Sequence, residues 1–463
     1  MEDKEKTVGQ QLADKLVYKS KSCFEAADKQ AVADYCEGYK KFLDNGKTER
    51  EVVKESIAII ESQGYKPYIL GDKLERGGKY YLNNRGKSLF MFRIGSESIE
   101  NGIRITASHI DSPRVDFKPR PVYEDSEMCF FKTHYYGGIK KYQWTAIPLS
   151  LHGVISKRDG DVDVRIGEED DEPVFYINDL PPHLSQLQNS KPSSNTIEGE
   201  QLNILAGSEP YDDDKVSDRF KLNLLAALNE KYGCTEADLI SSELCAVPAM
   251  KARDIGFDRS LIGSYGHDDR VCAYPSITAM LASESSPHTL MNIIADKEEI
   301  GSEGVSGMQC RILSDIIDEI ALALGGNPRV VRANSKCLSA DVNVAYDPNF
   351  PEVFEKRNTA FLNHGVVLSK YTGARGKSGT SDASAEFVGF VTRLFDDENV
   401  VWQMAELGKV DLGGGGTVAK FIAENNIDVI DLGVPVISMH APYEVVAKND
   451  VYMTHKAILA FYK

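Results

Sequence analysis

The chain has 463 residues, of which 42% are hydrophobic and 27% charged; this is the composition of a folded protein long enough for two domains, or for one domain with a large insertion. Its 53 basic and 70 acidic residues leave a formal charge of −17, which argues against nucleic acid and anionic membranes as partners, since no Lys/Arg cluster offsets it. The charged start Met1 to Lys6, the lack of any apolar run near the ~18 residues of a membrane span, and eight cysteines without a CxxC pair together predict a cytoplasmic protein with reduced thiols.

Residues 2 to 64 carry helical periodicity, with Phe24, Ala31, Val32, Tyr35, Tyr39 and Phe42 on one stripe and a second pattern starting at Val52. Strand-like runs follow at Lys79 to Leu82, Ser88 to Arg93 and Gly102 to Thr106. Between about 114 and 250 the texture changes to short β-rich segments, a Pro181-Pro182 pair and two acidic runs, Glu168 to Glu172 and Asp212 to Asp214, expected as solvated loops. This stretch reads as an inserted domain between catalytic parts at 1–113 and 251–463. Helical patterns then recur at Arg270 to Ala282 and Ile312 to Leu324, with strands at Leu290 to Ala295, Val366 to Ser369 and Val434 to Met439. The alternation predicts an α/β fold, a mixed and mostly parallel sheet flanked by helices on both faces.

Several apolar strand runs end in a residue able to bind metal: His109 with Asp111 two residues on, the doublet Glu298-Glu299, Asp341, and His440. In open α/β sheets ligands bind at the carboxyl ends of strands, so groups far apart in sequence can converge there. Imidazoles and carboxylates suit zinc, and two zinc ions roughly 3.5 Å apart share a bridging acid. The best candidate for that acid is Asp268 in Gly266-His-Asp-Asp-Arg270, where Asp269 could cap the following helix. The doublet can divide its labour between a metal ligand and a general base if the chain leaves strand geometry, which Gly301 and Gly304 permit. Asp111 is spaced to hold the second nitrogen of His109.

In order along the chain, Ser108-His-Ile-Asp-Ser-Pro113, Asp268-Asp-Arg270, Asp296-Lys-Glu-Glu-Ile-Gly-Ser302, Ser339-Ala-Asp341 and Met439-His440 resemble the motifs of the aspartyl aminopeptidase and vacuolar aminopeptidase I family of dizinc metallopeptidases. The resemblance covers almost the whole chain. It implies that His109 and Asp341 hold one zinc and Glu299 and His440 the other, with Asp268 bridging, Glu298 as general base and Asp111 orienting His109. Cobalt or manganese are alternative metals. It further implies that the insert is an oligomerisation domain, that the protein is a homo-oligomer, a dodecamer built from dimers, acting on peptides, and that His183 reaches a neighbouring subunit's site to stabilise an oxyanion. A structural loop histidine is the alternative for His183.

Where eukaryotic members have Gly-Thr-Thr or Gly-Ser-Thr before Gly-Pro, this chain has four glycines, Gly413 to Gly416, then Thr417. That run lacks the Gly-Lys-Ser/Thr of a phosphate loop and is expected as a close turn beside the substrate backbone. Lys370 or Arg375 could pair with an acidic first residue of the substrate, Asp382 could receive its free amine, and Thr417 belongs to the same candidate pocket. Two rivals differ in class: a dizinc deacylase or carboxypeptidase on the same fold, and a metal-free assembly scaffold.

Overall fold

In a computed structural model describing residues 6–26 and 28–463, two large β-sheets divide the chain. The first has nine strands in the order Lys66–Pro67, Lys79–Asn84, Ser88–Arg93, Thr289–Ala295, Ile103–His109, Lys336–Ala340, Asp428–Gly433, Val366–Ser369 and Trp402–Met404. Five of its eight pairings are parallel and three antiparallel, so the sheet is mixed and mostly parallel. The central strands are apolar on both faces, as a sheet covered twice requires. Thr289–Ala295, for example, sends Leu290 and Ile294 to one hydrophobic layer and Met291, Ile293 and Ala295 to the other. The first layer takes in the helices Lys29–Asn45, Glu49–Glu61, His267–Ala282, Ala385–Asp397 and Lys448–Tyr462, and the second Ile312–Ala323, Pro328–Asn334 and Ala419–Ala423.

The second sheet has seven strands, all from Arg114 to Pro248 and all paired antiparallel, over a separate core that includes the fully buried Trp144. A third, five-stranded sheet joins Arg253–Ile255, Leu261–Ser264, Glu444–Ala447, Pro435–Ile437 and Asn343–Val344. Among the described residues no helix is long and apolar enough to cross a membrane.

Three expectations are corrected. Phe24 lies outside the first core helix and is exposed; the buried stripe is Val32, Cys36, Tyr39, Phe42 and Leu43, and neighbouring Cys23 is buried in place of Phe24. The acidic run at Glu168 is not wholly solvated. Glu168 is 5% exposed, pairs with Lys47 Nζ at 2.8 Å and lies 3.0 Å from His152 Nε2, tying the insert to the helical N-terminal part. Finally, the strand at Val434 to Met439 belongs to the small third sheet and is regular only over Pro435–Ile437, because Ser438 and His440 adopt left-handed backbone, φ 61° and 64°.

Candidate metal centre

Strand register accounts for one half of the site. Thr289–Ala295, Ile103–His109 and Lys336–Ala340 run parallel as neighbours, with Ala295 opposite His109 and Ser339 opposite Ala107. His109 therefore ends its strand level with Asp341, which follows its own strand by one residue. Beyond Ala295 the chain turns sharply: Lys297 is left-handed at φ 68°, Glu298–Ile300 form a single 3-10 turn, and Gly301 at φ 97° closes it. That conformation is open to glycine at no steric cost.

Asp268 stands between two groups of ligands. Its Oδ1 lies 3.1 Å from His109 Nε2, and His109 Nε2 is 3.6 Å from Asp341 Oδ1. Its Oδ2 lies 3.2 Å from His440 Nε2, which is 3.5 Å from Glu299 Oε2. His109 Nδ1 bonds the Asp111 carbonyl at 3.0 Å and His440 Nδ1 the Gly138 carbonyl at 2.7 Å. Since a carbonyl only accepts, both Nδ1 atoms carry the proton and both Nε2 lone pairs face the carboxylates. Ligand atoms of His109, Glu298 and Asp341, and of His109, Asp268 and Glu299, fall within 4.8 Å of one another.

The donor set fits metal cations. Asp268 Oδ1 and Glu299 Oε1 are buried without a hydrogen-bond partner among the described residues, a costly state for an acceptor. Burial pushes Glu298 up to about 8, Glu299 well above the usual carboxylate range, and Asp341 upward too. Burial opposes charge on Asp268 as well, but hydrogen bonds from His109 and His440 hold its carboxyl below its ordinary value. Burial lowers His440 less than Asp268 and Glu299 raise it, leaving it near 10. Crowded acids around two inward-facing imidazole nitrogens form a pocket that a divalent ion neutralises.

Asp111 acts differently from expectation. Its backbone carbonyl, not its carboxylate, takes the His109 Nδ1 proton, while the carboxylate accepts the Glu298 and Glu299 amides, each at 3.1 Å, and the Tyr136 hydroxyl at 2.9 Å. Asp269 does not cap its helix; its Oδ2 accepts the His109 amide at 3.4 Å.

A cavity of about 570 Å³ opens onto Asp268, Glu298, Glu299, Asp341 and His440, walled by Gly414, Gly415, Gly416 and Thr417. Thr417 donates to the buried Asp431 at 2.7 Å. The other expected substrate residues are placed elsewhere. Lys370 is not in the cavity wall; its carbonyl accepts the Ala383 amide. Arg375 lines an adjoining cavity. Asp382 is exposed and paired with Lys377 at 3.1 Å. His183 is exposed on the 3-10 turn Pro182–Leu184 of the insert and is not part of the cavity wall.

Two residues were missed from the sequence. Glu444 is 1% exposed and accepts the backbone amides of Asp268 at 3.1 Å and His440 at 2.7 Å; its place four residues after His440 was the available signal. Lys420 is the one cation among the residues walling the metal cavity, and its position just past the Gly413 to Thr417 run was the clue.

The sequence profile described as "Aminopeptidase I zinc metalloprotease (M18)" matches residues 42–462. A probable M18 family aminopeptidase 1 of Clostridium acetobutylicum is 49% identical over 432 residues, 91% of this chain and 93% of its own. The crystal structure of an M18 family aminopeptidase from Thermotoga maritima superposes with a TM-score of 0.92 at 41% identity, covering 96% of this chain and 99% of that one. The S. cerevisiae mApe1 dodecamer shares the fold at 22% identity, with a TM-score of 0.75 over 92% of this chain and 95% of that one.

Proposed function

We propose that this chain, which belongs to the M18 family of aminopeptidase I zinc metalloproteases, carries two metal ions per subunit and uses Glu298 as general base to release acidic residues from peptide N-termini. That it is a zinc aminopeptidase, a hydrolase, follows from the family itself. The observation carrying the two-metal reading is Asp268, whose two oxygens face two separate groups, His109 with Asp341 and His440 with Glu299. Zinc bound there supplies Lewis-acid polarisation of the scissile carbonyl and makes a water nucleophilic at neutral pH; cobalt or manganese would fit the same donors.

The chain's own groups do the rest. Asp111 clamps both amides of the doublet, so Glu299 is held toward His440 while Glu298 remains on the cavity wall. There Glu298 accepts the proton of the attacking water and returns it to the leaving amine. The preference for Asp or Glu is supported by Lys420 in the cavity wall, in place of the Lys370 or Arg375 first considered. Metal analysis and a panel of aminoacyl reporters test this together. Two zinc ions per chain, hydrolysis of Asp and Glu reporters above Leu or Lys, and no hydrolysis of N-acetylated forms are expected; cleavage of the blocked forms alone favours a deacylase. Glu298→Gln should retain both ions and lose at least about a hundredfold in kcat, and loss of metal instead would reverse the roles within the doublet.

Assembly belongs to the same proposal: a homo-oligomer, a dodecamer of dimers, formed through the insert, with His183 serving the neighbouring subunit's site. Supporting it, Leu180, Leu184 and Leu187 flank His183 with exposures of 50, 68 and 80%, apolar surface that an interface would cover, and the S. cerevisiae mApe1 structure is a dodecamer. Sedimentation finding an active monomer would refute it. The eight free cysteines, seven of them buried, support a reducing compartment such as the cytoplasm.

A further inference from the structure

We propose that the cavity adjoining the metal centre is a second substrate subsite, in which Arg375 and Lys409 receive a carboxylate of the peptide downstream of the scissile bond; this rests on the aminopeptidase reading of the first cavity. The adjoining cavity holds about 410 Å³ and shares Thr372, Leu407 and Gly414 with the metal cavity. The partition is thin because it is glycine. Gly414 sits at φ 109°, and a Cβ there would stand 2.4 Å from Ala374 Cα, so no larger residue fits without moving the loop.

An aminopeptidase keeps one residue on the near side of the scissile bond, and everything after it must leave the metal cavity. An extended chain advances roughly 3.3 Å per residue, so the second or third residue reaches a neighbouring cavity. The charges there select for a carboxylate. Of the lining cations, Lys377 is already engaged, paired with Asp382 at 3.1 Å and lying 3.8 Å over the Tyr371 ring. The one lining carboxylate beside Asp116-free surface of this cavity, Glu406, accepts the Tyr371 hydroxyl. Arg375 and Lys409 have no carboxylate within 4.0 Å among the described residues. Both are solvent-exposed, accessible to a ligand arriving from solution, and a guanidinium presents paired donors that match a carboxylate.

The carboxylate can come from the C-terminus of a short peptide or from an acidic side chain after the first residue, and the test separates these. Steady-state kinetics of Asp-Ala-Ala, its C-terminal amide and the amide of Asp-Asp-Ala are compared for the wild-type holoenzyme and the double variant Arg375→Gln, Lys409→Gln, with Arg375→Lys as the charge-retaining control. The expected result is a KM raised about three- to tenfold for at least one carboxylate-bearing peptide, the range for exposed charge pairs. The rise should exceed that for Asp-Ala-Ala amide, with kcat little changed and KM largely kept by Arg375→Lys. A rise confined to the free acid identifies the C-terminus, and one confined to Asp-Asp-Ala amide the side chain. Equal changes on all three peptides, or none, overturn the subsite. An aspartyl p-nitroanilide, with no downstream carboxylate, reads the first cavity alone. If the wild type cleaves neither it nor any tripeptide, the aminopeptidase reading fails and the subsite falls with it.

Discussion

His109 and His440 present the same imidazole nitrogen to the same carboxylate, Asp268, from opposite backgrounds. His109 ends a central strand with its side chain 1% exposed, level with Asp341 by sheet register. His440 lies on a left-handed turn beyond a short strand, its side chain 31% exposed, held by the Gly138 carbonyl of the insert and by Glu444. The first half is built by the sheet and shares the stability of its two apolar layers; the second is built by a few long-range hydrogen bonds. Sites of the second kind open more readily and can be perturbed without unfolding the core.

The largest break should come from removing what the halves share. Asp268→Ala is expected to lower activity at least about a thousandfold and bound zinc to below one ion per chain, read by metal analysis; full retention of both ions would sink the bridging role. Glu444→Gln aims at the contrast itself. Loss of the charged acceptor should weaken zinc about 10- to 100-fold, the range for outer hydrogen-bond partners of metal ligands, with the loss falling on one binding step, that of the His440 half. Equal weakening of both steps would assign the effect to Asp268, whose amide Glu444 also holds.

A third test leaves the metal ligands alone. Burial opposes the charge of Glu168, but His152 and Lys47 hold its carboxyl far below the usual 4.5. A carboxylate depressed in the fold stabilises above its unfolded value, and that contribution disappears as pH falls. The wild-type unfolding midpoint should therefore drop on acidification below about 4.5, while Glu168→Gln should flatten that dependence and cost about 3 kcal/mol at neutral pH, as breaking a buried pair does; an unchanged urea midpoint would refute it. The smallest effect is expected for Gly138→Ala. A Cβ there would meet His440 Nδ1 at 3.5 Å, an ordinary contact, its backbone is not left-handed, and the carbonyl acceptor survives. Zinc content should be unchanged and stability altered by less than about 1 kcal/mol; a marked loss of metal would show the second half to be more tightly built than its exposure suggests.

The apolar runs at Ile103 to Ala107 and Leu290 to Ala295 were legible because strand alternation is local to the chain, and so was the change of texture after residue 113. Also legible were the residue types at the strand ends, His109, Asp341 and the doublet, which the structure brings together with Asp268 and His440. The partners of those residues were not. Asp111 sits two residues after His109, yet its carboxylate serves amides 187 and 188 residues away; Glu444 reaches an amide 176 residues away; and Glu168, in a run of acids, is buried against Lys47.

By itself the sequence determined the alternation that makes the sheet and the chemical kinds of ligand at its edge, since both are written in neighbouring residues. Only the tertiary structure decided which carboxylate faces two imidazoles, which one holds the backbone of the doublet, and which cation lines the cavity. Those choices depend on distances of about 3 Å between groups a hundred or more residues apart, and such distances exist only once the chain has closed around them.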